Sequence, residues 1–231
     1  VVLVGLLAAC FWGSEFWVPL IRDPEMPSLA DDLLSSGLVS RGAFWFTVAA
    51  LSTLVFWRRD SATRVLAVQL AVLLFHVTTL LPIAGLADQL RQQPVRQAAT
   101  DMLRYQLPME PLAMVGRMKP SLHFYTRQVV LFEGRSSGAL VNLADRLAKE
   151  QRRGWQGQPI SQLQGPSSVL MVIDTRTSQR PHWQGLQPQE LSRFGIYNVW
   201  RVDRKRLEQR SEELQRSGIR PDWLEPRPER F

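Results

Sequence analysis

At 231 residues and 45% hydrophobic, with a mean hydropathy of −0.13, the chain averages out as one or two soluble domains. The distribution excludes that reading: residues 1–86 carry 5 of the 28 Lys and Arg, whereas residues 87–231 carry 23, against 15 Asp and Glu. The single Cys10 excludes a disulfide framework, and apolar mass at one end with charge at the other predicts a membrane part followed by an aqueous one.

Three apolar segments meet, or nearly meet, the roughly 17–25 residues needed to cross a bilayer. The first is Val1 to Ile21. It has no Met and no charged start, which excludes a signal peptide and implies more protein upstream. The second is Gly42 to Trp57, stopped by Arg58 and Arg59, and the third is Val65 to Leu86 with one internal proline. Soluble core helices are seldom apolar on every face for so long.

Charge orients these spans. The link between the second and third carries Arg58, Arg59 and Arg64 against Asp60, while that between the first and second carries Asp23, Glu25, Asp31 and Asp32. Lys and Arg accumulate in short cytoplasmic loops, so the expected topology puts the acidic link and residues 87–231 outside. The expectation is a multi-pass inner-membrane protein with a periplasmic C-terminal domain. Within the acidic link, Pro24 and Pro27 break the chain and Ser28 precedes an amphipathic stretch ending at Gly37. This short interfacial helix is either a connector or a wall of an external site.

The aqueous part reads as alternating helices and strands. Gln93–Tyr105 is helical, Pro111–Gly116 is a buried strand, and Pro120 opens a short helix. Val129–Phe132 is a strand and Gly138–Gln151 an amphipathic helix. Ser168–Asp174 is the clearest strand, Pro188–Phe194 a short helix, Tyr197–Val202 a strand and Arg204–Ser217 a charged helix. Such alternation predicts an α/β domain with a mainly parallel sheet. The end of the chain, from Arg220, reads as an irregular tail.

Two stretches then stand out together: Glu110-Pro-Leu-Ala-Met-Val-Gly116 and Lys119-Pro-Ser-Leu-His-Phe-Tyr-Thr126, followed by the strand to Phe132 and preceded by hydrophobic spans. In these features the chain resembles the C-terminal region of the GT-C glycosyltransferases of the dolichyl-phosphate-mannose–protein mannosyltransferase and aminoarabinose (lipid A) transferase superfamily. The resemblance implies sugar transfer from a polyprenyl-phosphate donor to a lipid or protein acceptor on the external face. It also places the catalytic carboxylate in a loop upstream of Val1, so the catalytic residues are expected outside this chain, which needs no cofactor of its own.

Candidate residues can be weighed one at a time. Arg117, Lys119 and Ser121 sit where a strand turns into a helix, and helix N-termini with added cations attract anions; they are the candidate phosphate-binding residues, against the plainer reading of a solvated basic turn. Glu15 is an acid inside a span, either functional or hydrated between Trp12 and Trp17. His76 with Thr78 and Thr79 suits interhelical hydrogen bonding better than a ligand role. Asp174 and Asp203 each follow a strand, as site residues or as helix caps. No His, Cys or acid pair has metal-ligand spacing, so no metal site is expected. The basic runs Arg152–Arg153 and Arg201, Arg204, Lys205 and Arg206 face either solvent or an anionic bilayer; nucleic acid, which the pI of 10.4 also suits, is not expected beside an external membrane-anchored domain. The competing function class is a scaffold or regulatory α/β domain of a transporter or envelope-assembly protein.

Overall fold

The computed structural model describes residues 2–58, 61–153 and 166–221. Arg59 and Asp60 of the basic link, the side chains of Arg152 and Arg153, and the predicted tail from residue 222 lie outside the described residues. Two compact units divide the chain, Val1–Gln93 and Pro94–Phe231.

The first unit is helical and apolar. Among the described residues two helices are long and apolar enough to cross a membrane, or three if a bent pair counts as one span. That pair is the first predicted span, α1 (Val2–Trp12) followed by α2 (Ser14–Trp17) and a 3-10 turn Val18–Leu20, bent by 61°. The bend falls at Gly13, where helix propensity is poor, and the Trp17 indole donates across it to the Cys10 carbonyl (2.8 Å). The short helix α3 (Leu29–Ser35) follows, with Ser28 Oγ donating to Asp32 Oδ2 rather than accepting from a backbone N–H. Gly37, at φ +67°, then starts α4 (Leu38–Val55).

The third predicted span is α5 (Ser61–Phe75), a π-helical turn at His76–Leu80, and α6 (Leu81–Arg91). Pro82 explains a contact at the turn. Lacking an N–H, it cannot serve the Thr78 carbonyl four residues back, and Arg41 donates there instead (3.1 Å). Trp45 Nε1 donates to Thr78 Oγ1 (2.8 Å). Of the predicted polar cluster, Thr78 thus bonds to α4 through both its carbonyl and its hydroxyl. Gly42 allows the same packing: a Cβ there would stand 2.8 Å from the Phe11 ring and 3.1 Å from Thr79 Cγ2. At one end of the unit Arg91, closing α6, pairs with Glu25 of the acidic link (3.0 Å). Many large apolar side chains stay exposed, among them Val2, Phe16, Leu54, Val55 and Leu66.

The second unit is a three-layer α/β/α arrangement. It runs α7 (Gln93–Tyr105), β1 (Leu112–Val115), α8 (Ser121–Thr126), β2 (Val130–Glu133), α9 (Ser137–Arg153), β3 (Ser168–Asp174), α10 (Thr175–Ser178), α11 (Pro181–Gln184), β4 (Gln189–Phe194), β5 (Tyr197–Asp203) and α12 (Arg204–Arg216). Alternation along β3 fills both faces. Val169, Met171 and Ile173 pack with Leu140, Leu143 and Leu147 of α9 and with Leu207 of α12. Leu170 and Val172 pack with Val95, Ala98 and Met102 of α7.

The sheet order is β2-β1-β3-β5-β4. It is mixed, which corrects the mainly parallel expectation: β2, β1 and β3 are parallel, while β5 runs antiparallel to β3 and β4 antiparallel to β5. Pro188–Phe194, expected as a helix, supplies the strand β4. It pairs on one side only and keeps polar residues exposed, so its composition looks helical. The two-residue turn Gly195–Ile196, with Gly195 at φ +54°, closes the hairpin; glycine at the first turn position suits the twist of antiparallel strands.

Candidate functional site

Strand order fixes where a site can form. From β1 the chain crosses to β2 on one side and then to β3 on the other, so the connections diverge at the carboxyl ends of β1 and β3. In open α/β sheets ligands bind in the crevice outside such a switch point. Here β1 runs into Gly116, Arg117 and Lys119, and β3 into Asp174 and α10.

Asp174 organises this end. It is 2% exposed, and it accepts from the backbone N–H of Arg117 (3.0 Å), the N–H of Thr177 (3.1 Å) and the Thr177 hydroxyl (2.7 Å). It caps α10 and also pins the loop after β1. Gly116 is required beneath it: at φ +93° an added Cβ would lie 2.0 Å from Asp174 Oδ2 and 2.5 Å from Thr177 Oγ1. Asp203 caps α12 through the Arg206 N–H (3.0 Å). Both aspartates are therefore occupied with the backbone.

The three predicted phosphate-binding residues share this loop. Arg117 is half-buried, Lys119 is buried with its N–H on Met114 Sδ (3.3 Å), and Ser121 is the half-buried first residue of α8. Pro120 is the N-cap rather than the first helical residue. The N–H groups of Leu122 and His123 donate to the Lys119 and Pro120 carbonyls (2.9 and 3.1 Å), so what this turn offers an anion is mainly side-chain charge.

More charge gathers beside it than the sequence reading anticipated. Arg135, after β2, brings Nε to 4.0 Å from Asp174 Oδ2. Its carbonyl accepts from Arg180 (3.2 Å) and contacts His182 Nε2 (3.1 Å). Burial pushes the His182 imidazole below its usual 6.5; the hydrogen bond to the Arg135 carbonyl opposes this, and the charges of Arg180 and Arg210 add to it. Arg135, Arg180 and His182 were missed because their meeting depends on strand order; their one sequence signal was position just after β2 and β3.

This end has a definite place in its unit. Thr175 N–H donates to the Ile196 carbonyl (2.8 Å), and a Cβ on neighbouring Gly195 would come within 3.2 Å of Pro94 Cγ. The basic loops thus share an end with the start of α7.

The other predicted charges are accounted for differently. Arg201 is no part of a free basic face: it pairs with the buried Glu110 through Nε (2.9 Å) and a terminal nitrogen (3.2 Å). Glu110 also accepts from Ser168 Oγ and the Leu107 N–H. Arg204 is buried and donates to the Leu147 carbonyl (3.0 Å), and Arg206 donates to Gln187 (3.3 Å). Glu133, fully buried, pairs with Arg146 (3.0 Å). Glu15 is exposed, just past the bend at Gly13. His76 bonds the Val72 carbonyl four residues back (2.8 Å). Among the described residues no three His, Cys, Asp or Glu side chains gather to hold a metal.

Known proteins resemble both units. Residues 105–218 match the family model described as the cyanobacterial RgtA-type glycosyltransferase, C-terminal domain. No curated protein matches the chain. The crystal structure of ArnT from Cupriavidus metallidurans in the apo state superposes with a TM-score of 0.52 at 18% identity, covering 89% of this chain and 37% of that one. The structure of the same protein bound to undecaprenyl phosphate gives 0.50 at 18% identity, covering 85% and 35%. At that identity the likeness is one of fold, and the chain spans little more than a third of the length of ArnT. Residues 105–218 thus match a glycosyltransferase C-terminal domain and the chain shares its fold with ArnT, which together support a GT-C C-terminal region.

Proposed function

We propose that the full-length protein transfers a sugar from a polyprenyl-phosphate donor to a lipid or protein acceptor, on the external face of the inner membrane. The observation that carries this reading is the match of residues 105–218, which hold all five strands of the sheet, to a glycosyltransferase C-terminal domain. The similarity in fold to an ArnT structure that holds undecaprenyl phosphate supports a lipid-phosphate donor. The acidic link and the exit of α6 share one end of the helical unit through Glu25 and Arg91, which supports an external sheet unit given the basic link on the other side.

Sugar transfer from a lipid phosphate asks for a carboxylate to activate the acceptor and cations to stabilise the departing phosphate. Among the described residues the buried carboxylates are Glu110, Glu133 and Asp174, and each is already engaged by arginine, hydroxyl or backbone donors. We therefore assign the activating carboxylate to another part of the protein. This region supplies charge: Arg117 and Lys119, with Ser121, meet the phosphate at the carboxyl end of β1. The competing scaffold reading predicts no dependence on these side chains.

A transfer assay in proteoliposomes tests the proposal. Full-length protein supplied with polyprenyl-phosphate sugars and with lipid or protein acceptors should form the glycosylated acceptor and release polyprenyl phosphate, and residues 87–231 alone should fold yet remain inactive. Absence of turnover with every such donor would contradict the proposed activity, and turnover by the isolated domain would contradict the placement of the carboxylate.

A further inference from the structure

A second cationic feature lies in the helical unit and has no part in the reading above. A cavity of about 420 Å³ opens between α4 and α5, lined by Thr53, Trp57, Ser61, Arg64, Val65, Val68 and Gln69. The α5 residues recur at the i, i+3, i+4, i+7 and i+8 positions of a single helix face. Among the described residues of the lining Arg64 is the one cation and there is no carboxylate. The Nε of Arg64 is buried and has no hydrogen-bond acceptor among the described residues. A buried donor on a charged group is costly without a partner, more so beside a bilayer, where ionisable groups are expensive and usually paired.

The walls narrow the choice of partner. Val65, Val68 and Trp57 make the cavity largely apolar, while Ser61, Thr53 and Gln69 add polar groups. Of its lining Trp57 and Val65 are more than half exposed, a surface suited to acyl chains. A free inorganic anion would use the guanidinium and leave those walls wet. A phospholipid uses both, with its phosphate on Arg64 and its chains along α4 and α5; basic pockets between membrane helices bind acidic head groups in this way.

We propose that this cavity binds the phosphate of an anionic phospholipid in the leaflet at the α4–α5 turn, with Arg64 as its principal ligand. The test uses the full-length protein in phosphatidylcholine nanodiscs into which phosphatidylglycerol is titrated. Retained lipid is counted by native mass spectrometry and the unfolding temperature is followed. Wild type should bind phosphatidylglycerol saturably and gain stability. Arg64→Gln should bind it at least about tenfold more weakly, while Arg58→Gln, a neighbouring charge outside the cavity, should behave as wild type. Val68→Phe fills the cavity with Arg64 intact and should also lose the lipid, so the proposal stays testable if Arg64→Gln misfolds. Inorganic phosphate in pure phosphatidylcholine should not reproduce the stabilisation. Equal losses in Arg64→Gln and Arg58→Gln would mean attraction to the surface alone. Stabilisation by inorganic phosphate would mean a free-anion site. No preference of wild type for phosphatidylglycerol would mean no anion site. Each of the three would overturn the proposal.

Discussion

The Asp174 carboxylate fills the space that a side chain at residue 116 would occupy, 2.0 Å from the position of a Cβ there. The loop carrying Arg117 is thereby locked to the end of β3, because the same carboxylate accepts the Arg117 N–H. Neither Gly116→Ala nor any larger replacement can be accommodated without displacing a buried carboxylate, and the φ of +93° adds strain for any L side chain. We expect Gly116→Ala to destabilise the sheet unit by about 3 kcal/mol or more. Thermal unfolding of the variant checks this, and an unchanged melting temperature would refute it.

The buried pair Glu110–Arg201 makes a second prediction. Glu110 is 1% exposed and held by both oxygens. Replacing Arg201 by Met leaves that carboxylate buried without its counter-charge, at a cost of about 3–5 kcal/mol. The double variant Glu110→Met with Arg201→Met removes both charges and should be less damaging than Arg201→Met alone. Denaturant unfolding of both variants measures the difference, and a double variant worse than the single would contradict the coupling.

His182 sets a pH dependence. Its folded-state pKa lies below 6.5, chiefly through burial, so the neutral imidazole is favoured in the folded protein. The corresponding stability is fully present above 6.5 and is lost as the pH falls through the lower folded-state value. His182→Gln, which cannot charge, should flatten the acid side of the stability profile and leave it unchanged above neutrality. An identical acid limb in wild type and variant would exclude this role.

Much of the architecture was legible because its signals are local. Apolar runs ended by Arg58 marked a span, and the buried run Ser168–Asp174 marked the central strand. Leu140, Leu143 and Leu147 marked one face of a helix. The bend at Gly13 was readable in principle, from glycine at mid-span with Pro19 beyond it. The hairpin was harder. Gln189–Phe194 is an edge strand whose exposed polar side chains mimic a helix, and only Gly195 before Ile196 announces the turn. The mainly parallel expectation followed from that one misreading. Pairing between distant residues was not legible at all: Arg201 lies 91 residues from Glu110 and looked like one more charge in a basic run. The candidate site divided along the same line. Arg117, Lys119 and Ser121 are neighbours in sequence and were found, whereas Arg135, Arg180 and His182 join them only through strand order.

The most direct measurement is equilibrium binding of polyprenyl phosphate to the full-length protein and to its Arg117→Gln/Lys119→Gln double variant. If these cations hold the donor's phosphate, the double variant should bind at least about tenfold more weakly, as expected for loss of charge-assisted contacts, with its unfolding temperature unchanged. Added salt should weaken the wild type more than the variant. Arg216→Gln with Arg220→Gln, two exposed charges beyond the sheet, should leave binding as it was. Equal binding by wild type and the Arg117/Lys119 variant, or equal losses in the two double variants, would contradict a phosphate site at the carboxyl end of β1.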